Sequence, residues 1–331
     1  MKKIDLESHY YTPQLKRRWA ERTNYPLFHP ETNHLEFNRE FSLKHSYKIP
    51  HLFETLEEKA ALMDALGFDA AVLSFSPGIE LLDSAEAIEV AREANDWVGE
   101  AARRWQGRFY GFAALPVLDR DASIRELERC VRELGFVGWM PFSNYGELHL
   151  DDDYFFPLFE KAAELDVPIY LHPTHPVSGR LTGLGTQLLG SPFGYAIDAS
   201  VTTMRLICKG IFDRWPNLKV ILAHLGEGFP YVLKRMDGRI SKYHDRAPAV
   251  NRELPGYYFR HNIYVTTSGQ YSHEAFRCCR DVLGIDRIML ATDYPYEMME
   301  DVNEFLRELE ISENDLELVC SKNAQQLLKL G

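Results

Sequence analysis

Several residues able to bind a metal or move a proton stand where short apolar runs of this chain end. Glu7 and His9 follow the run Ile4–Leu6 in "KIDLESHYY", two positions apart. Side chains alternate along a strand, so these two share one side. His172 closes "VPIYLHP", His224 closes "KVILAHLGEG" and Asp293 closes "RIMLATDYP". Glu7, His9, His172 and Asp293 together offer two carboxylates and two imidazoles. That set suits one divalent ion, Zn²⁺ or Mn²⁺, and disfavours copper(I) or an iron–sulfur cluster. Taken singly, each has an ordinary use: a hydrogen-bonded histidine, a helix cap at Asp293, a lysine partner for Glu7. Their recurrence at separate strand ends argues for a shared site.

A second signal lies in "HLGEGFPY". His224 and Glu227 flank a turn whose Gly226 and Gly228 permit tight chain reversal and close approach of a ligand. Glu227 can hold the His224 ring in one tautomer. His175, between Pro173 and Pro176, is placed to shape a substrate pocket. Arg235 in "LKRMDGR" could meet an anionic substrate or pair with Asp237. "VTTSG", residues 265–269, offers hydroxyls and a glycine for a pocket wall.

These residues need a scaffold that brings distant strand ends together. Eight apolar runs read as strands: Lys3–Glu7, Ala70–Ser74, Phe109–Ala114, Val137–Pro141, Pro168–His172, Lys219–His224, Ile263–Thr267 and Arg287–Asp293. Segments with helical spacing lie between them. "LEEKAALMDALG" stops on a glycine, and Asp83 followed by Glu86 resembles a capping box with Asp replacing Ser or Thr. Eight strands alternating with helices predict an α/β protein, a closed (β/α)8 TIM-like barrel whose mouth collects the strand C-termini. An open doubly wound sheet would be expected to show a Gly-rich phosphate loop after its first strand, and none is present. Residues 11–53 are too long for an ordinary connection and predict an insertion capping the mouth. Its histidines, His29, His34, His45 and His51, read mostly as surface residues. The chain is expected to form one domain over residues 1–331.

Composition narrows the function classes. The 331 residues are 45% hydrophobic and 26% charged with net charge −12 and no basic block, which argues against a nucleic-acid or anionic-membrane partner. The five cysteines form no C-x-x-C pair, so a thiolate zinc site or disulfide framework is disfavoured and the cytoplasm is the expected compartment. No signal-peptide h-region and no apolar run of membrane-spanning length occurs.

The combination "YLHP", "HLGEG-PY", "TTSG" and "TDYPYE" at the fifth to eighth strands, with ligand residues at the first, resembles the amidohydrolase superfamily in its decarboxylase branch. That branch includes aminocarboxymuconate semialdehyde decarboxylase and the hydroxybenzoate decarboxylases. Most of the superfamily carries H-x-H after the first strand; here Glu7 makes it E-x-H, the form of the decarboxylases acting on 2,3-dihydroxybenzoate, γ-resorcylate or 5-carboxyvanillate. The resemblance implies one Mn²⁺ or Zn²⁺ on Glu7, His9, His172 and Asp293, and no organic cofactor. It implies an active-site His224–Glu227 pair, Arg235 close to a small aromatic carboxylic acid, and Asp293 as the acid that protonates the ring before CO₂ leaves. A homodimer or homotetramer is implied as well. Two alternatives remain enzymatic: a decarboxylase of a non-aromatic semialdehyde acid, or a metal-dependent hydrolase of a lactone or amide. "VGWMPFSN" at the fourth strand lacks the lysine of a two-metal hydrolase. A third alternative is a catalytically inert scaffold barrel.

Overall fold

In the computed structural model, residues 1–44, 46, 48–175, 179–243 and 245–331 are described. Eight parallel strands follow one another around a single sheet in chain order: Ile4–Tyr10, Ala70–Phe75, Phe109–Ala113, Gly138–Trp139, Ile169–Leu171, Val220–Leu222, Ile263–Thr266 and Ile288–Met289. They are called here the first to eighth barrel strands. The ring closes between the eighth and the first. Leu6 N donates to Leu290 O at 3.1 Å, and Ser8 bridges Tyr294 in parallel. Asp5 reinforces the seam by accepting from Thr292 N at 2.8 Å and from Thr292 Oγ1 at 2.7 Å. The fold is therefore the expected barrel with interleaved helices, and each strand falls within or overlaps its expected run.

Inside the ring, Ile4, Leu6, Val72, Phe112, Tyr170, Ile221 and Met289 pack as one apolar cluster, extended by Ala324 and Leu328 of the last helix. Filling the barrel with side chains makes it a core, so ligands can enter only at its ends.

Local signals act as expected at several helix ends. Gly67 closes the helix Leu56–Leu66 in the left-handed conformation, with φ 71°. Asp83 caps the helix Ser84–Arg104 by accepting from Glu86 N at 3.0 Å. The reciprocal capping box stands elsewhere, at Thr55 and Glu58, because Glu86 turns instead to Arg22.

Residues 11–53 contain a helix, Pro13–Ala20, and a three-stranded antiparallel sheet, Leu27–His29, His34–Glu36 and Ser42–Lys44. Trp19, Phe28, Leu35 and Phe37 of this segment are buried in the same large core as the barrel's outer face. Among the described residues, no helix is long and apolar enough to cross a membrane.

Candidate metal centre and active site

The first strand runs on to Tyr10, so Glu7 and His9 lie within it and not at its tip. Its pairing with the second strand slips between Asp5 and Ser8. Such a bulge sets two residues against one and changes which side the following residues face. Leu6 packs in the barrel interior, and its immediate neighbour Glu7 also faces inward, accepting from the interior Tyr170 OH at 2.6 Å. Ser268 Oγ donates to the same Glu7 oxygen.

His9 is fully buried. Its Nε2 lies 3.4 Å from Glu7 Oε1 and 3.3 Å from Asp293 Oδ1, yet neither ring nitrogen has a hydrogen-bond partner among the described residues. His172 meets His9 edge to face, with ring centres 5.1 Å apart. His172 Nδ1 lies 2.6 Å from Pro173 O, so Nδ1–H donates there and Nε2 keeps its lone pair for a ligand. Donor atoms of Glu7, His9 and His172 all lie within 4.8 Å of one another. Donors around a tetrahedral divalent ion with bonds of about 2.0–2.1 Å are about 3.4 Å apart. The spacing at His9, with its orphaned buried nitrogens, fits such an ion.

Charge tells the same story. Burial works against charging His9, but Asp293 and Glu7 outweigh it and lift its pKa to about 9. Burial and the neighbouring His9 drive His172 down to about 3. Burial raises Glu7, but His9, His224 and His172 together bring it below the usual carboxylate range. Burial, helped by Glu7, raises Asp293. Positive charge is therefore favoured between the two carboxylates, and either a proton on His9 or a bound cation would supply it.

His224 and Glu227 stand beside this cluster. His224 Nδ1 lies 2.5 Å from Ser268 O, and its Nε2 lies 3.9 Å from Glu227 Oε1. Burial opposes charge on His224, yet Glu227, Asp293 and Glu7 raise it to about 9, while burial lifts Glu227 to about 7 despite His224. His224, Leu225, Glu227 and Asp293 all hold φ between 51° and 64°. Non-glycine residues in this region carry strain that the surrounding fold must hold, and they concentrate at functional sites.

His175 sits apart from the metal-type cluster in an aromatic pocket. Its ring centre is 4.3 Å from Phe41, its Nε2 is 3.2 Å from Tyr195 OH, and burial lowers its pKa to about 4. Arg235 is exposed on the helix Phe229–Ile240, and no hydrogen bond or ion pair joins it to the site among the described residues. Asp237, its alternative partner, accepts instead from Gly256 N at 3.0 Å.

Residues beyond the motifs also shape the site. Tyr170 lies two before His172 and so on its face of the strand, a signal present in the sequence. Tyr296 stacks edge-on to His9 at 5.3 Å. Buried Lys59 pairs with Glu54 at 2.9 Å and donates to Ser8 Oγ at 3.1 Å, supporting the strand that carries His9. Nothing in "LEEKAALMDALG" distinguishes Lys59 from a surface lysine.

A parallel barrel with a buried histidine–carboxylate cluster at the C-terminal ends of its strands defines a metal-dependent enzyme class. Residues 50–330 match the amidohydrolase family, and the chain belongs to it. It is 37% identical to the γ-resorcylate decarboxylase of Polaromonas sp. strain JS666, over 85% of this chain and 89% of that protein. Among solved structures, it superposes with TM-score 0.86 and 33% identity on a dihydroxybenzoic acid decarboxylase of Polaromonas sp. JS666 holding manganese and 2-nitroresorcinol. That alignment covers 99% of this chain and 97% of the other. The 5-carboxyvanillate decarboxylase of Sphingomonas paucimobilis superposes with TM-score 0.88 and 28% identity, over 100% of this chain and 99% of that one.

Proposed function

We propose that this protein is a divalent-metal-dependent, non-oxidative decarboxylase of an ortho-hydroxylated benzoate, with γ-resorcylate as the first substrate to test. The observation that carries the reading is the convergence of Glu7 and Asp293 on His9 Nε2, at 3.4 and 3.3 Å. It pairs the E-x-H strand with the eighth-strand aspartate. Glu7, His9, His172 and Asp293 would hold the ion, Mn²⁺ or Zn²⁺. When bound, it supplies a Lewis acid that favours the ionised ortho-hydroxyl and fixes the substrate's orientation.

The chain's own residues do the rest. Asp293 delivers a proton to the ring carbon that bears the carboxylate. The bond to the carboxylate then breaks, its electron pair returns to the ring, and CO₂ leaves. One proton is consumed and no oxidant or organic cofactor is needed. His224, held by Ser268 O and faced by Glu227, sets the charge and proton inventory beside Asp293. Tyr170 and Ser268 hold Glu7 in place by hydrogen bonds, so the carboxylate is preorganised. His175, Phe41 and Tyr195 form an aromatic wall for the substrate ring, with residues 11–53 as the cap that sets specificity.

The test is decarboxylation of a panel of 2-hydroxybenzoates by Mn²⁺- and Zn²⁺-loaded protein, with Asp293→Asn as control. Turnover of γ-resorcylate or a relative, lost in the variant, is expected. No turnover across the panel by protein retaining stoichiometric metal would sink the assignment.

The protein is further proposed to act as a homodimer or homotetramer in the cytoplasm. Phe193, Ile197 and Val201 are exposed at four-residue spacing along the start of the helix Gly194–Cys208. This apolar face supports an interface there, more than at the C-terminal helix. A monomer mass by light scattering would remove this reading.

A further inference from the structure

The second cluster of metal-type side chains lies outside the barrel, on the first hairpin of residues 11–53. The stretch "HPETNHLE" supplies it. His29 and His34 face each other across the antiparallel pair, and Glu36 follows His34 by two residues, so all three share one face. The connection is compact: Pro30–Thr32 forms one 3-10 turn, and Asn33 closes it in the left-handed conformation at φ 45°. Pro30 fixes its own φ and Asn tolerates the left-handed region, so the turn presents both histidines with little remaining freedom.

The side chains converge on one oxygen. Glu36 Oε1 lies 3.3 Å from His29 Nε2 and 3.4 Å from His34 Nδ1. His29 Nε2 is buried and has no hydrogen-bond partner among the described residues, although that carboxylate oxygen is so close. That spacing suits two donors that neighbour one another around a metal ion. Donors of a tetrahedral zinc ion stand about 3.4 Å apart, and the three donor atoms here all lie within 4.8 Å of one another. Glu31 Oε1 is 3.9 Å from His29 Nδ1, on the side where an outer carboxylate orients a ligating imidazole.

We propose that His29, His34 and Glu36 supply three ligands of a second divalent-metal site, of the zinc class. Two imidazoles and one carboxylate are a donor set that zinc accepts readily. The ion pins the strand Leu27–His29 to the strand His34–Glu36. From there the chain reaches Phe37 and Phe41, whose rings are 5.5 Å apart, and Phe41 touches His175. The site therefore staples the segment that contributes Phe41 to the pocket wall. It takes no part in bond breaking, and it stands or falls independently of the decarboxylase assignment.

The experiment uses tag-free, full-length protein stripped with a chelator and titrated with Zn²⁺, read by metal analysis and calorimetry. Wild type is expected to bind two equivalents per chain. His29→Ala/His34→Ala, and separately the conservative Glu36→Gln, should each lose one equivalent or weaken it at least tenfold. His9→Ala should lose the other and keep the hairpin equivalent. Zinc should slow hydrogen exchange of residues 27–36 in wild type and not in the hairpin variants. A single equivalent in wild type that His29→Ala/His34→Ala leaves unchanged would overturn the proposal. So would a second equivalent that persists undiminished in folded hairpin variants, as judged by circular dichroism.

Discussion

The barrel mouth and the first hairpin hold similar donors at nearly the same spacing, 3.3–3.4 Å from nitrogen to carboxylate oxygen, yet they are built in opposite ways. The mouth draws its groups from the first, fifth and eighth strands, and His9 and His172 there are buried. The hairpin draws its groups from two adjacent strands of one turn, and its His29 side chain is 38% exposed. Burial makes electrostatics strong, so the mouth can perturb protons and polarise a substrate. A half-exposed cluster on one hairpin lacks that leverage and can serve only to cross-link. The same ligand chemistry thus supports catalysis in one place and fastening in the other, and the surroundings decide which.

The sharpest way to break this contrast is to remove the acid at the mouth. Asp293→Asn is expected to lower kcat by at least about 10³-fold, because it removes both a ligand and the proton donor. Turnover within tenfold of wild type in a steady-state assay would refute the role given to Asp293.

A second prediction concerns the support under His9. Lys59 Nζ pairs with Glu54, donates to Ser8 and sits 4.5 Å from the Tyr294 ring, while Tyr294 OH donates to Glu54 at 3.0 Å. Lys59→Met leaves Glu54 buried without its cation, a loss of about 3–5 kcal/mol. Urea denaturation of metal-free protein measures it; a change below about 1 kcal/mol would show the pair to be dispensable.

The depth of the mouth can be sharpened through Glu80, which is buried beyond the second strand and accepts from Gly78 N at 2.6 Å. Burial raises its pKa to about 7. Between the unfolded value near 4.5 and about 7, the folded state binds more protons, so this group's contribution falls as pH rises through that window. Glu80→Gln should therefore stabilise the protein at pH 8 by roughly 1–3 kcal/mol, with the gain vanishing below about pH 4.5. A gain independent of pH would show that ionisation of Glu80 is not its source.

The smallest effect is expected at the hairpin. Glu36→Gln should leave kcat within about threefold of wild type, since no chemistry passes through that cluster. A loss comparable to that of Asp293→Asn would erase the distinction between the two regions.

Much of this architecture was legible from residue types alone. Apolar runs bounded by glycine, proline and capping residues marked all eight strands, because burial and turn chemistry are local requirements. His172, His224 and Asp293 could be read as mouth residues because parallel strands in a barrel all end on one face. The structure brings them together with Glu7 and His9. His175 is in the aromatic pocket, whereas Arg235 is exposed and apart from the cluster within the chain. His45 lies outside the described residues. His29 and His34, read mostly as surface residues, are partly exposed and face each other across a hairpin. Their convergence depends on the register of two strands, which the short, irregular spacing of "HPETNHLE" did not disclose.

The first strand divides most clearly what sequence determines from what it does not. Alternation alone places Glu7 and His9 on one shared side, but the same alternation, counted from the interior residues Ile4 and Leu6, sends that side outward. The slip between Asp5 and Ser8 reverses it. That slip belongs to pairing with the second strand, and the Asp5–Thr292 seam with the eighth strand accompanies it. Residue types along a strand are a local property, whereas the face they present is set by neighbours far away in the chain, and only the closed barrel supplies those neighbours.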